Sequence, residues 1–166
     1  MTFPCELGLR TTEEGLRLSS RPVGEIEKLR VASNSLSNHE LLPGQPLLVG
    51  QGELLDILII FEPGQAQRLL FDVRGVPLIY DVKRQELSCL GKELSLPAEQ
   101  GRVTLRLLVD RTSVEIFGNE GLAYLPLGVL LEPEKHAVYL FAEGGPAKLV
   151  SLAAYRLRGV WDAQYL

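Results

Sequence analysis

The segment from Val103 to Gly121 constrains the fold more than any other part of the chain. With Arg111 and Thr112 at a hairpin tip, Asp110 opposes Ser113, Val109 opposes Val114 and Leu107 opposes Ile116. Successive side chains of a strand point to opposite faces, so this pairing gathers Val103, Leu105, Leu107, Val109, Val114 and Ile116 on one face. Thr104, Arg106, Leu108, Asp110, Ser113, Glu115 and Phe117 take the other. A one-residue slip would bury Glu115 and expose Val114, so the pattern itself specifies the register. Arg106 and Glu115 become diagonal neighbours, a pair worth at most about 1 kcal/mol if it is exposed. Arg-Thr lacks the glycine or asparagine of a type I′ turn, which predicts a looser four-residue connection.

The rest of the chain repeats this grammar. Glu6–Arg10 and Leu16–Ser19 alternate on either side of a turn at Thr11–Gly15, a second hairpin. Leu54–Phe61 is nearly continuous apolar sequence closed by Glu62-Pro63-Gly64, the mark of a strand buried on both faces. Arg68–Val73, Leu78–Val82, Glu86–Leu90, Glu93–Leu96, His136–Ala142 and Lys148–Leu157 read as further strands. Pro22–Arg30 has apolar spacings of three and four, enough for a turn or two of helix, and polar Ser33–His39 reads as a loop. Strands of four to eight residues with frequent Gly and Pro predict an all-β fold, a two-sheet antiparallel β-sandwich of jelly-roll or concanavalin A-like type. A chain of 166 residues, 46% apolar and 23% charged, is expected to form one domain over 1–166.

Charge and motif arguments narrow the function. Seventeen basic residues against 21 acidic ones, net −4, argue against a nucleic-acid partner. No apolar run approaches the ~20 residues that span a bilayer, so no membrane partner is expected. The segment Met1–Glu6 has no basic stretch followed by an apolar one, which predicts a cytoplasmic chain as it stands and leaves a longer parent enzyme free to be secreted. Cys5 and Cys89 admit one disulfide, but two unpaired thiols fit a reducing compartment better. His39 and His136 stand apart from other ligand types, so neither a metal nor a cofactor is expected.

A sugar hydrolase needs two facing carboxylates, about 5–5.5 Å or 6.5–9.5 Å apart. Asp110 and Glu115 share a face but are offset along the strands, with Arg106 beside them. Asp72 and Asp81 read as strand-end residues. There is no G-x-S-x-G elbow, and Phe117-Gly118-Asn119-Glu120-Gly121 is a glycine-assisted turn rather than a phosphate loop. Trp161 and Tyr165 could stack on a sugar ring but fit better as anchors of the chain end. The residues by themselves therefore describe an all-β domain with no catalytic residue.

The run Leu105-Arg106-Leu107-Leu108-Val109-Asp110-Arg111-Thr112-Ser113-Val114-Glu115-Ile116-Phe117-Gly118-Asn119-Glu120-Gly121 resembles a stretch of glycoside hydrolase family 32, the invertases, levanases and inulinases. Met1-Thr2-Phe3-Pro4-Cys5-Glu6-Leu7, then Arg17-Leu18, Arg21-Pro22-Val23, Glu25, Leu29 and Arg30, resemble the family's segment leading into its carboxyl-terminal sandwich. Tyr139–Gly145, Ser151 and Tyr155-Arg156-Leu157 agree at the other end. The resemblance implies only that sandwich. In the family, nucleophile, transition-state-binding Asp and acid/base Glu belong to a preceding five-bladed propeller, and its Asn-Asp-Pro-Asn-Gly, Arg-Asp-Pro and Glu-Cys motifs are absent here.

Three functions follow as expectations. The first is a non-catalytic accessory domain that packs on and stabilises the propeller of a β-fructofuranosidase, or self-associates, through an apolar sheet face. The second is a stand-alone fructan- or fructose-binding module, with Arg106, Asp110, Arg111 and Glu115 as the contacts. An independent hydrolase is the third, and no turnover is expected of it.

Overall fold

The hairpin over 103–118 forms in the register that its sequence predicts: Asp110 pairs with Ser113, Val109 with Val114 and Leu107 with Ile116. Its connection is tighter than expected. Arg111 and Thr112 alone form the turn, and neither has a positive φ. The Asp110 carboxylate accepts the Arg111 N–H at 2.7 Å, and the Thr112 carbonyl accepts Val129 N–H at 3.0 Å. Those bonds stabilise a two-residue turn without the glycine that a type I′ geometry requires.

The computed structural model describes residues 2–12 and 15–160. The notional stacking pair Trp161 and Tyr165 lies outside them. The strands are β1 (Cys5–Thr12), β2 (Gly15–Pro22), β3 (Arg30–Leu41), β4 (Leu47–Gln51), β5 (Leu55–Glu62), β6 (Arg68–Val73) and β7 (Val76–Asp81). They continue as β8 (Glu86–Cys89), β9 (Lys92–Ser95), β10 (Val103–Asp110), β11 (Ser113–Gly118), β12 (Ala123–Gly128), β13 (Ala137–Glu143) and β14 (Ala147–Leu157). Two six-stranded antiparallel sheets result, a first in the order β12-β11-β10-β5-β14-β3 and a second in the order β4-β13-β6-β7-β8-β9. The β1–β2 hairpin is a separate two-stranded sheet.

The β-sandwich is thus as expected, with local corrections. Ser33–His39 is not a loop; it is the middle of β3, which pairs along β14 at the sheet's edge. Its residues are nearly all exposed, so hydrogen bonding of the backbone, rather than side-chain burial, recruits this polar stretch. Gly24–Leu29 forms a 3-10 helix, in keeping with its short apolar spacing. Asn119–Gly121 is the expected turn, with Asn119, Glu120 and Gly121 at φ 44°, 56° and 88°.

Between the sheets, Ile57, Ile59 and Phe61 of β5 and Leu105, Leu107 and Val109 of β10 meet Leu69, Phe71, Leu78 and Tyr80 from the second sheet. The Phe61 ring stands edge-on to Tyr80 at 5.5 Å and 6.3 Å from Phe71. Tyr80 donates its hydroxyl proton to the Leu96 carbonyl at 3.1 Å, which satisfies the one polar atom this ring brings into the core. Cys5 and Cys89 are both free thiols.

A smaller cluster covers the outside of the first sheet. Leu108, Phe117 and Leu157 pack there with Ile26 of the 3-10 helix, and Phe3, Val23, Leu29 and Tyr124 close round them. Every residue of β11 is consequently buried, on both faces. That second layer decides the fate of the charges on the outer face.

Candidate functional site

Asp56 sits second in β5, a strand otherwise apolar as far as Phe61, with its side chain outward toward β10 and β14. It is fully buried. A lone carboxylate there would be costly unless paired, and two arginines supply the pairing. Arg106 Nε donates to Oδ1 at 2.8 Å and its Nη2 to Oδ2 at 2.9 Å. Arg30 Nε and Nη2 donate to Oδ2 at 2.9 and 2.6 Å. The Arg30 guanidinium also lies 4.0 Å over the Tyr155 ring and 3.4 Å from Glu27. Both oxygens of Asp56 are committed to cations, which makes it a poor nucleophile or base.

Glu115 is buried as well, at 1% exposure. The Phe3 backbone N–H donates to its Oε1 at 2.7 Å, and the Tyr124 hydroxyl donates to its Oε2 at 2.6 Å. Tyr124 stacks on Phe117 with ring centres 4.7 Å apart. Burial first, and then the hydrogen bond to the Glu115 carboxylate, push the Tyr124 hydroxyl well above its ordinary value. Next to it, the Cys5 thiol donates to the Phe3 carbonyl at 3.5 Å. Glu115 therefore ties the entering chain to the sheet.

The four residues expected to hold sugar are not brought together. Arg106 is spent on Asp56, and Glu115 on Phe3 and Tyr124, so the expected Arg106–Glu115 pair does not form. The register is the expected one, with Glu115 opposite Leu108 and Arg106 opposite Phe117; what differs is the partner each side chain takes. Asp110 caps its own turn, and exposed Arg111 makes a surface ion pair with Glu53 at 3.1 Å. Asp72 and Asp81 are strand-end residues as expected, accepting the N–H of Gly75 at 2.6 Å and of Arg84 at 2.8 Å. Asp56 went unnoticed in the sequence, although an acid inside the run Leu54–Phe61 signals a buried charge that requires cations.

A concavity lies on the other sheet. A cleft of about 530 Å³ runs over the outer face of β6, β7 and β13, floored by Leu70, Ile79 and Phe141 and walled by Pro43 and Pro77. Asp72 and Glu143 edge it, Glu143 being 3.5 Å from exposed Arg68.

Two antiparallel sheets, the first with its outward carboxylates Asp56 and Glu115 bonded within the chain, define an all-β sandwich domain. The chain belongs to glycosyl hydrolase family 32: residues 25–156 match the family model described as its C-terminal region, the non-catalytic domain. It is 31% identical over a 185-residue alignment to the levanase of Bacillus subtilis (strain 168), covering 96% of this chain and 27% of the levanase. With the levanase of Bacillus sp. (strain L7) it shares 28% over 186 residues, 97% of this chain and 20% of that one. The exo-inulinase of Aspergillus awamori has the same fold, with a TM-score of 0.80 at 18% identity over 97% of this chain and 36% of the inulinase. The chain thus spans between a fifth and little more than a third of these relatives.

Proposed function

We propose that this chain is the accessory domain of a β-fructoside-cleaving enzyme, packing on its catalytic domain, the propeller implied by the family resemblance, and stabilising it. One observation carries the reading: the match is to the C-terminal part of family 32 while both buried carboxylates of the first sheet, Asp56 and Glu115, are consumed in internal bonds. A domain whose best-placed acids are neutralised or used as tethers contributes stability rather than chemistry. The test is a chimera in which this chain replaces the matching part of the Bacillus subtilis levanase. Levan cleavage that survives heating as it does in the intact levanase supports the reading; an enzyme that loses its activity at once on mild heating refutes it.

A fructan-binding role is the second reading, and the cleft over Phe141 favours it, in place of Arg106, Asp110, Arg111 and Glu115. An aromatic floor edged by carboxylates suits the apolar face and hydroxyls of a sugar. Titration calorimetry with levan, inulin, sucrose and fructose decides it: heat that disappears in Phe141→Ala places sugar in the cleft, and flat isotherms at millimolar sugar end the idea.

A further inference from the structure

Every described arginine but one has a partner within the chain, from the Arg30 and Arg106 pairs with Asp56 to the exposed pairs Arg84–Glu86 and Arg111–Glu53. The exception is Arg156, whose guanidinium makes no hydrogen bond or ion pair among the described residues. Its stem is nevertheless held in place. Cγ and Cδ lie over Gly52, where an added Cβ would come within 3.3 Å of each. Glycine at that position lets the arginine lie along the surface, and a bulkier residue would lift it away.

The head of Arg156 borders a groove of about 220 Å³ between β14 and the two edge strands, β3 of the first sheet and β4 of the second. Small residues make the room. A Cβ on Gly50 would stand 3.2 Å from that of Ala154, so the two sheets close the groove's inner end at this point, while Leu48 and Leu55 add apolar wall. Ala32 pairs with Arg156 and Asn34 with Ala154, which makes Asn34 and Arg156 diagonal neighbours on the face that Ala154 turns to the core. Asn34 thus takes a core-facing position next to Leu36, which packs against the core. Ser33 and Gln51 bring a hydroxyl and a second amide to the same groove. None of these three side chains has a hydrogen-bond partner among the described residues.

We propose that this groove binds a small hydroxylated carboxylic acid, a sugar acid in chemical class, with Arg156 on the carboxylate and Asn34 and Gln51 on the hydroxyls. The planar fork of a guanidinium matches the two oxygens of a carboxylate. Side-chain amides both donate and accept, as hydroxyls do, so they recognise a polyol without adding charge. Charge selects the carboxylate over a phosphate. One guanidinium balances one carboxylate, whereas a phosphate monoester carries about −1.5 to −2 at neutral pH. The surplus would be held by a chain whose own net charge is already −4. This groove shares no residue with the cleft over Phe141, so the inference stands apart from the fructan-binding reading.

The test titrates gluconate and glucuronate into the purified chain, with acetate, glucose and inorganic phosphate as comparisons. Saturable binding of a sugar acid at millimolar concentration is expected, together with shifts of the Asn34 and Gln51 side-chain amide resonances. Acetate and glucose each offer half of the recognised chemistry and are expected to bind at least about tenfold more weakly. Arg156→Gln is expected to raise the dissociation constant at least about tenfold, and Asn34→Ala about threefold. Both side chains are exposed, so the urea midpoint of either variant should stay where it is and lost binding is not lost folding. No saturable binding of either sugar acid, or binding that leaves the Asn34 and Gln51 amides unmoved, overturns the site without recourse to a variant. Affinity unchanged in Arg156→Gln overturns the role of the arginine. Phosphate held as tightly as the sugar acids overturns the carboxylate assignment, and acetate held as tightly overturns the recognition of hydroxyls.

Discussion

The backbone N–H of Phe3 donates to Oε1 of Glu115 at 2.7 Å, joining residues 112 positions apart in the chain. The other oxygen of Glu115 holds the Tyr124 hydroxyl, so one carboxylate fixes both the entering segment and an aromatic stack. Removing it leaves two donors facing an apolar cluster. Glu115→Ala is expected to lower stability by about 2–4 kcal/mol, and Tyr124→Phe by about 1–2 kcal/mol, since it removes a single bond to a charged acceptor. Urea denaturation of both variants checks the order; equal stability of Glu115→Ala and the parent chain would refute the tether.

The Arg30–Asp56–Arg106 cluster predicts an asymmetric result. Asp56→Asn leaves two guanidiniums around a neutral amide and is expected to cost about 3–5 kcal/mol. Replacing all three together, Asp56→Leu, Arg30→Met and Arg106→Met, removes the charges as a set and is expected to cost far less or to stabilise. Chemical denaturation of the single and triple variants tests this directly.

Gly118 predicts a steric coupling. Its φ of −107° suits any residue, yet an added Cβ would collide with the buried Leu96 side chain. Gly118→Ala is therefore expected to destabilise by about 1–3 kcal/mol through overpacking alone. A Gly118→Ala, Leu96→Val pair should recover part of that loss, giving a positive interaction in a double-mutant cycle. Strict additivity would show that the collision is relieved elsewhere.

Burial pushes the Cys89 thiol up from 9.0 to about 11, and burial, followed by nearby Asp81, pushes the Tyr80 hydroxyl up from 10.0 to about 12. Both folded values exceed those of the unfolded chain, so the native state holds these protons more tightly. Their contribution is complete below about pH 9 and is lost as pH rises through 9–11 for Cys89 and 10–12 for Tyr80. Cys89→Ala is expected to flatten the fall in unfolding free energy, measured by urea denaturation, between pH 9 and 11, by an amount on the order of 2 kcal/mol. An unchanged slope in the variant would contradict the assignment.

Purified chain incubated with sucrose or levan is expected to release no fructose, because Asp56 and Glu115 are both engaged and Asp110 caps a turn. Release abolished by a carboxylate-to-amide substitution in this chain would overturn that expectation.

How much of this was legible in the sequence depends on which contacts are local. The register of β10 and β11 could be read from alternation, because each arm's parity separates Val109 and Val114 from Asp110 and Ser113 and pairing geometry does the rest. The same alternation makes Arg106 and Glu115 a solvated pair, and the structure corrects that. Parity says which side of a sheet a residue faces, but not what covers that side, and here Phe3, Ile26 and Tyr124 arrive from elsewhere in the chain to bury it. β3 is illegible in the sequence because its polar residues carry no periodic signal, its strand conformation being imposed by the backbone of β14.

Alternation, apolar runs and short motifs are enough to establish the all-β class, the strands with clean apolar patterns and the family resemblance, because each is read from residues close together in the chain. That Asp56 lies between two arginines, that Glu115 tethers the segment at Phe3 and that four leucines remain exposed on the β1–β2 hairpin is visible only in the folded molecule. Those outcomes depend on which segment packs over which face, a choice made by long-range burial that no local pattern encodes.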